Sequence, residues 1–319
     1  MRPNPFAEPG QWYRGNTHSH STGSDGRLSV PDLCQSYEDK GYDFIAVTDH
    51  LVVTDVSQNR SSKLIALPGS EIPVCWDEAH GGAEICSIGI ERVKRNYAHP
   101  QDVIDDVRAQ GGVPILSHPS VSGVYSQLIM TLDGLVGIEI LNAKMHYSGR
   151  RGLAVAHWED VLSDGKEIWG IASDDRHTGN EQDTHDFAKG WIHVKAADRS
   201  ATAILDAIRG GMFYSSTGPQ IQNIKIEDGH IHVATSPVKA ITLSSIPTKG
   251  ARQVAQGDEK LTAATFRLNQ VGTREQSEAM VARFIVAGHF TQPKTIGAYF
   301  RVEAWDGAEG YAWSNPVFF

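Results

Sequence analysis

The chain has 319 residues and a mass of 34.8 kDa, enough for one large α/β domain with a smaller companion. Its net charge of -9 and its lack of any lysine or arginine run argue against nucleic acid as a bulk partner. Three cysteines without Cys-x-x-Cys spacing favour buried thiols in a reducing compartment. No apolar run is long enough to span a membrane, and the first residues lack the apolar core of a signal peptide. We therefore expect a soluble, cytoplasmic protein, although removal of a signal peptide would leave the same sequence.

A pair of histidines follows the first predicted strand. If residues 12–20 are extended, His18 and His20 point to the same side, with imidazoles close enough to hold one metal ion. The Ser24-Asp25-Gly26 turn then returns a carboxylate to the same end. Two histidines near a strand end can also be solvated loop residues. The recurrence of the pattern further along the chain favours metal ligands.

Later strands also end at or beside a possible ligand. The predicted strands after the first cover residues 42–50, 64–68, 83–90, 113–118, 135–142, 168–177 and 190–194. The predicted helices cover residues 29–40, 100–110, 125–132, 152–162 and 200–209. The further ligands, in chain order, are His50, Glu71, His80, His118, Asp175 and His177. Strands that alternate with helices indicate βα units on a parallel sheet, and polar residues at the strand ends favour closure into a barrel.

The pattern changes near Gln220. Six short segments of alternating hydrophobicity follow, separated by Gly, Asp, Pro and Asn. They predict a small all-β, sandwich-like domain over residues 220–319, after an α/β domain over residues 1–219. The β domain contributes almost no candidate ligands, so we expect the active site in the first domain.

Six imidazoles and three carboxylates make up the predicted ligand set. It consists of His18, His20, Asp25, His50, Glu71, His80, His118, Asp175 and His177. Mixed nitrogen and oxygen ligands without cysteine suit Zn, Mn or Fe, and nine ligands are about right for three ions if one carboxylate bridges. The other histidines are expected at the surface or in the core, with His146 and His185 as the exceptions because they lie in loops on the ligand side.

The order of these motifs resembles the PHP (polymerase and histidinol phosphatase) superfamily of metal-dependent phosphoesterases. The matching motifs are His-x-His…Ser-Asp-Gly, Thr-Asp-His, Glu, His, Ser-His-Pro and Asp-x-His, over about residues 12–219. The resemblance implies a distorted (β/α)7 TIM-like barrel with a trinuclear metal site. Residues 211–219 and 313–316, with the β tail between them, further resemble the stand-alone branch named for the CehA and McbA carbamate hydrolases.

The resemblance also implies how the ligands divide among three ions. The first ion would be held by His18, His20, Glu71 and Asp175. The second would be held by Glu71 as the bridge, His80 and His118, and the third by Asp25, His50 and His177.

Charge suggests the substrate. Three divalent ions, three carboxylates and a bridging hydroxide leave roughly +2, which suits the dianion of a phosphate monoester. We therefore predict a hydrolase that attacks a small phosphorylated molecule with the metal-bridging hydroxide. Its predicted catalytic residues are Glu71, Asp175 and His177, and its predicted substrate contacts are Arg27, Lys144 and Arg150.

Two alternatives stay open. The same hydroxide can hydrolyse a carbamate, ester or amide, as the CehA- and McbA-like tail suggests. A non-catalytic metal-binding module is the second alternative, but an intact ligand set argues against a decayed site. The sequence does not indicate the oligomeric state.

Overall fold

The computed structural model describes residues 4–77, 81–149, 151–179, 185–246, 249–273, 275–276 and 298–318. The chain divides into two compact units. The larger comprises Pro9–Trp158 and Ile168–Ser215, and the smaller comprises Met1–Glu8, Glu159–Glu167 and Ser216–Phe319. The described helices are too short or too polar to cross a membrane. The predicted domain boundary at residues 219 and 220 and the cytoplasmic location stay predictions.

Nine strands and seven helices begin in the larger unit, as far as it is described. The strands are β1 (Gln11–Asn16), β2 (Phe44–Val47), β3 (Ile65–Asp77), β4 (Gly81–Ile88), β5 (Val113–Leu116), β6 (Gly137–Asn142), β7 (Trp169–Ser173), β8 (Trp191–Ala196) and β9 (Phe213–Ser216). The helices are α1 (Val30–Asp39), α2 (Pro100–Ala109), α3 (Pro119–Ser122), α4 (Ser126–Met130), α5 (Ala143–Gly149), α6 (Val155–Ser163) and α7 (Ala201–Arg209). A short 3₁₀ helix covers Val56–Gln58.

Local sequence explains where the helices begin. The side chain of Ser29 accepts a hydrogen bond from the backbone N–H of Asp32 and so caps α1. The buried face of α1 carries Leu33, Cys34 and Tyr37 at helical spacing, and these side chains join a core cluster with residues of β2. Each predicted helix is present with bounds shifted by a few residues, whereas α3 and α5 were not predicted.

The sheet of the larger unit is mixed. Its strands are hydrogen-bonded in the order β9-β8-β1-β2-β3-β4-β5-β6-β7. The pairs β1–β2, β2–β3, β5–β6 and β6–β7 are parallel, which confirms the predicted parallel βα character of these strands. Strand β4 is antiparallel to both β3 and β5, so β3 and β4 form a hairpin where a βα unit was expected.

The predicted distorted (β/α)7 barrel is not confirmed, because the described strands do not close into a barrel. β8 pairs antiparallel with β1 over residues 11–15 and so occupies the edge that β7 would need for a full ladder. The chain after β7 meets the chain after β1 only at the carboxyl ends, through one parallel bridge between Ser19 and Arg176. There the backbone N–H of Asp175 donates to the carbonyl of His18 at 3.0 Å. The two ends are thus joined where the candidate ligands lie, but no continuous ladder closes the ring.

The described residues of the smaller unit form two antiparallel sets of strands, which agrees with the predicted all-β domain. Its described strands are β10 (Ile221–Glu227), β11 (His230–Val238), β12 (Ala240–Ser245), β13 (Gly250–Val254), β14 (Leu261–Arg267), β15 (Tyr299–Trp305), β16 (Tyr311–Ser314) and β17 (Val317–Phe318). One sheet has the order β13-β12-β15-β16, with β17 also paired to β15, and the other has the order β10-β11-β14. A 3₁₀ helix covers Leu268–Gln270.

Candidate metal centre

The first group of ligand atoms is fully buried. His18 and His20 follow β1, Asp175 follows β7, and Glu71 lies in β3 just beyond the part that pairs with β2. The Nε2 atoms of the two histidines are 3.1 Å apart. Glu71 Oε2 lies 3.1 and 3.3 Å from them, and Asp175 Oδ1 lies 3.4 and 3.3 Å from them. The ligand atoms of all four residues lie within 4.8 Å of one another, as one metal ion requires.

A second group shares His20 and is more open. His20, Asp25, His50 and His177 offer ligand atoms within 4.8 Å of one another. Asp25 Oδ2 lies 3.1 Å from His177 Nε2 and 3.8 Å from His50 Nε2. The Asp25 side chain is 54 % exposed and that of His50 is 33 % exposed, so this group faces solvent. It is therefore the open side of the centre.

Glu71 also faces a third set of side chains. Its Oε1 atom lies 3.2 Å from His118 Nε2, while its Oε2 atom faces the first group. Glu84 Oε2 lies 3.3 Å from the same His118 nitrogen, and His50, Glu71 and Glu84 form a further group within 4.8 Å. The two oxygens of Glu71 thus point to different sets of ligands, which is the arrangement that a bridging carboxylate needs.

Buried carboxylates hold the ligand loops in place. Asp49 accepts hydrogen bonds from the Ser21 N–H at 2.7 Å and from the Ser24 hydroxyl at 2.8 Å, which fixes the turn that carries Asp25. At Gly26 in the same turn, a Cβ atom would lie 2.2 Å from the carbonyl oxygen of His20, so the turn requires glycine.

Glu139, in β6, supports two candidate ligands from behind. Its Oε1 atom lies 2.7 Å from His18 Nδ1, and its Oε2 atom accepts the backbone N–H of His118 at 2.9 Å. Asn142 donates to Glu139 at 2.9 Å and to Asp175 at 3.2 Å. Because the Nδ1 atom of His18 is occupied by Glu139, its Nε2 atom is presented to the centre, as is usual for metal-binding histidines.

Backbone strain is concentrated at the centre. Five non-glycine residues among those described have positive φ, and two of them are the candidate ligands His118 (φ 26°) and Asp175 (φ 54°). A third, Leu51 (φ 57°), follows His50 directly. Residues in this region cost roughly 1–3 kcal/mol each and persist where the surrounding structure demands them. Strain is therefore an independent indication that this cluster is functional.

The charges of the centre are strongly interdependent in the absence of metal. Burial disfavours a charged His118, but the hydrogen bond to Glu71 and the charges of Glu71, Glu139 and Asp175 together outweigh burial and raise the pKa of His118 to about 9. Burial likewise opposes ionisation of Glu71, but the charge of His18 and hydrogen bonds from His118 hold the pKa of Glu71 well below its usual range. His177 differs, because burial dominates and lowers the pKa of its imidazole. Protons on the buried imidazoles thus supply the positive charge that a bound cation would supply.

The donor set fits divalent metal ions. Asp175 Oδ1 is buried and has no hydrogen-bond partner among the described residues, although it faces the nitrogens of His18 and His20. A buried carboxylate oxygen without a hydrogen bond is costly unless a cation compensates it. Imidazole and carboxylate together suit Zn, Mn or Fe.

The structure brings together eight of the nine predicted ligands. The ninth, His80, lies outside the described residues, as does the predicted substrate contact Arg150. Lys144, in α5, places its Nζ atom 3.0 Å from both ring nitrogens of His177. Arg27 donates its backbone N–H to the carbonyl of His177 at 3.1 Å, and the residue is exposed. The roles assigned to all these residues stay predictions.

Three residues near the centre were not predicted. They are Glu84 and Cys86 in β4 and Glu139 in β6; His18, Cys86 and Glu139 also form a compact group. All three lie inside a strand, whereas the sequence pattern predicted ligands only at or beside strand ends. His146 and His185, the two predicted exceptions, belong to none of the four groups found among the described residues.

Comparisons with known proteins agree with this architecture. No protein-family model matches the chain. The chain aligns over 96% of its length with the crystal structure of a two-domain protein containing a predicted PHP-like metal-dependent phosphoesterase from Bacteroides vulgatus. The alignment covers 95% of that chain, with a TM-score of 0.52 and 16% identity. The predicted PHP resemblance is confirmed at the level of the fold. The CehA and McbA branch stays a prediction.

Part of the PHP-like chain also matches a curated relative. It is 32% identical over 138 residues to the DNA polymerase/3'-5' exonuclease PolX of Bacillus subtilis. That match covers 43% of this chain and 24% of PolX, so the chain spans about a quarter of the length of that relative. A lesion-specific endonuclease from Pyrococcus furiosus aligns with a TM-score of 0.41 and 14% identity over 63% of this chain and 56% of its own, which is too low to support an inference.

Proposed function

We propose that the protein is a metal-dependent hydrolase that cleaves the phosphate ester of a small molecule. The observation that carries the proposal is the convergence of imidazole and carboxylate groups on both oxygens of Glu71, with a lysine at the open side of the cluster. The PHP-like fold supports the same chemistry.

The proposed ligand assignment follows the grouping of the side chains. His18, His20, Glu71 and Asp175 hold a first ion, and Asp25, His50 and His177 hold another at the open side. Glu71 and His118 share the second position, for which His80 is the predicted further ligand, and the ion at the open side is the third. Divalent ions, Zn or Mn, lower the pKa of water and neutralise charge on the oxygens of the scissile group.

Lys144 favours a phosphate over a carbamate. Its ammonium lies 3.0 Å from the His177 ring, and among the described residues no carboxylate lies within 4.0 Å of it. A fixed cation beside a metal ligand is repelled by the ion unless an anion lies between them. A phosphate oxygen supplies that anion, whereas a neutral carbamate does not. We assign Lys144 to substrate binding and keep Arg27 and Arg150 as further candidates.

Three alternatives are tested in the same experiment. Carbamate, ester or amide hydrolysis of the CehA and McbA type needs the same ligands but no cation for the substrate. Because PolX is named as a DNA polymerase and 3'-5' exonuclease, a DNA phosphodiester is also tested as a substrate. The acidic chain is not expected to bind nucleic acid in bulk. A metal-binding module without activity is the remaining alternative.

Protein treated with chelator and reconstituted with Mn²⁺ or Zn²⁺ should contain close to three ions per chain by elemental analysis. It should then be assayed on p-nitrophenyl phosphate, bis-p-nitrophenyl phosphate, a p-nitrophenyl carbamate, p-nitrophenyl acetate and a labelled DNA oligonucleotide. We expect the phosphate monoester to have the highest kcat/KM. Faster turnover of the carbamate would replace the proposal, and absence of all turnover in fully loaded protein would favour the non-catalytic module.

Lys144→Met provides the residue-level test, with Lys63→Met as the matched control because Lys63 is exposed outside the centre. We expect Lys144→Met to raise KM for the phosphate monoester by about tenfold, as loss of a charge-assisted contact does, and to leave the carbamate unaffected. An equal effect on both substrates would contradict the assignment of Lys144.

A further inference from the structure

Glu84 is held so that its carboxylate faces the centre. It lies in β4, opposite Pro73 of β3 in the antiparallel hairpin, and its carbonyl oxygen accepts the backbone N–H of Ser117 at 2.9 Å. Because side chains alternate along a strand, Glu84 shares a face with Cys86, which belongs to the buried group around His18. The backbone on both sides of β4 therefore fixes the direction of this side chain.

The Glu84 carboxylate converges with two predicted ligands of the second ion. Its Oε2 atom lies 3.3 Å from His118 Nε2, and the same nitrogen lies 3.2 Å from Glu71 Oε1. Glu71, Glu84 and His50 also offer ligand atoms within 4.8 Å of one another. Glu71 is buried, and the Glu84 side chain is only 29 % exposed.

No fixed cation compensates these two carboxylates within the described ranges. The groups within 4.0 Å of Glu71 and Glu84 are imidazoles, and neither a lysine nor an arginine is among them. Two carboxylates that share one imidazole at this depth repel each other strongly unless positive charge lies between them, which a proton on His118 supplies in metal-free protein and a metal ion would supply in its place. His118, whose φ is 26°, is held in a strained backbone conformation at this same point.

We propose that Glu84 is a ligand of the second metal position, together with Glu71 and His118, and that this position prefers Mn²⁺ to Zn²⁺. The inference rests on the metal-binding part of the proposed function. Two carboxylates and one imidazole form an oxygen-rich set, which suits Mn²⁺, whereas the first position has two imidazoles and two carboxylates. Glu84 supplies the ligand that the sequence assigned to His80.

Metal binding tests the inference without any substrate. Metal-free wild-type protein, Glu84→Gln and Glu84→His should be titrated with Mn²⁺ while free Mn²⁺ is followed by electron paramagnetic resonance, and Zn²⁺ binding should be measured by equilibrium dialysis and elemental analysis. Glu91→Gln is the matched control, since Glu91 is exposed beyond the end of β4. Circular dichroism establishes that each variant is folded.

We expect Glu84→Gln to weaken the binding of one Mn²⁺ by at least about tenfold and to leave the other ions bound. Glu84→His should recover the Zn²⁺ stoichiometry of the wild type without recovering Mn²⁺ affinity, because imidazole suits Zn²⁺. Glu91→Gln should bind both metals as the wild type does.

Unchanged Mn²⁺ binding in folded Glu84→Gln would overturn the inference. The inference would also be overturned if His80→Asn lost the second ion while Glu84→Gln kept it. That result would show that His80, as predicted from the sequence, is the ligand at this position. These outcomes are separate from failure of the proposed function. If the variants bind metal as expected but the wild type hydrolyses none of the substrates, the proposed phosphoesterase activity is refuted and Glu84 is still a ligand. If the wild type hydrolyses a phosphate ester but Glu84→Gln binds Mn²⁺ as the wild type does, the proposed activity stands and Glu84 is not a ligand.

Discussion

Glu71→Gln is the substitution that should disturb the centre most. The side chain keeps its shape but loses its charge and one strong acceptor oxygen. In the structure, Glu71 Oε2 lies 3.1 Å from His18 Nε2 and 3.3 Å from His20 Nε2, and Oε1 lies 3.2 Å from His118 Nε2. Whichever way the amide is turned, its NH₂ group points at nitrogens that should bind a cation. Both metal positions that use Glu71 are therefore affected at once.

The expected magnitude follows from this double contact. Loss of support for a metal ligand costs about 10–100-fold in affinity or activity, and Glu71 is itself a ligand to two positions. We expect the loss of at least one ion and a fall in kcat of at least about a hundredfold. In the metal-free protein, removal of the Glu71 charge should also lower the pKa of His118 from about 9, because Glu71 is the main group that raises it.

Three measurements test this prediction. Elemental analysis gives the ions per chain after reconstitution, turnover of the best substrate gives kcat, and NMR titration of the metal-free protein gives the pKa of His118. Asp25, His50 and His177 do not depend on Glu71 as a ligand in the proposed assignment, so about one ion should remain. Near-native metal content and turnover in Glu71→Gln would show that the bridge lies on another residue. The exposed Glu91→Gln serves as the charge-matched control.

Further predictions concern stability and support. The pKa of His118 is about 9 in the folded metal-free protein against an ordinary 6.5, so its contribution to stability is complete below pH 6.5 and is lost as pH rises through 9. Thermal melts of metal-free protein should therefore show a falling Tm between pH 6.5 and 9, and saturating metal should flatten that slope; a Tm that rises over this range without metal would contradict the assignment. Glu139→Gln should weaken metal binding by about tenfold in competition with a chelator, because His18 loses its charged partner; unchanged affinity would rule out this support. Leu51→Gly should raise the free energy of unfolding in urea by about 1 kcal/mol by relieving its positive φ, whereas Val52→Gly, without positive φ, should lower it; equal losses would show that Leu51 is not strained.

Most of the ligand set could be predicted from the sequence because it follows a simple rule of topology. Parallel strands bring their carboxyl ends to one edge, so polar residues after such strands meet there. His18, His20 and His50 follow β1 and β2 in this way, and Asp175 and His177 follow β7. Spacing alone thus places residues that are far apart in the chain within one cluster.

The rule does not reach ligands inside a strand. Glu84 faces the centre because β3 continues past Glu71 and returns as antiparallel β4, which turns the alternate residues of β4 toward His118. The pattern of residues 83–90 indicates a strand, but it is equally compatible with a parallel and an antiparallel direction relative to β3. The sequence therefore does not reveal the hairpin. The role of Glu139 was likewise not predictable from the sequence, because it depends on how β6 pairs with β5 and β7.

Closure of the barrel could not be predicted for a related reason. The alternation of strands and helices is local, whereas the pairing of β8 with β1 is long-range and antiparallel. Once residues 11–15 are paired with β8, β7 can approach only the chain beyond Gly15. The same constraint brings Asp175 beside His18, because the chain after β7 meets the chain after β1 there, next to the bridge between Ser19 and Arg176.

Glu84 alters the charge argument from which phosphate chemistry was predicted. With Asp25, Glu71 and Asp175 alone, three divalent ions and a hydroxide leave roughly +2, and a fourth carboxylate reduces this to about +1. Lys144 adds a positive charge beside His177, at the open side of the centre, whereas Glu84 lies beside His118. We infer that positive potential is displaced toward Lys144. A phosphate dianion gains from that displacement and a neutral carbamate does not, so the ratio of the two activities in Lys144→Met measures which chemistry the centre favours.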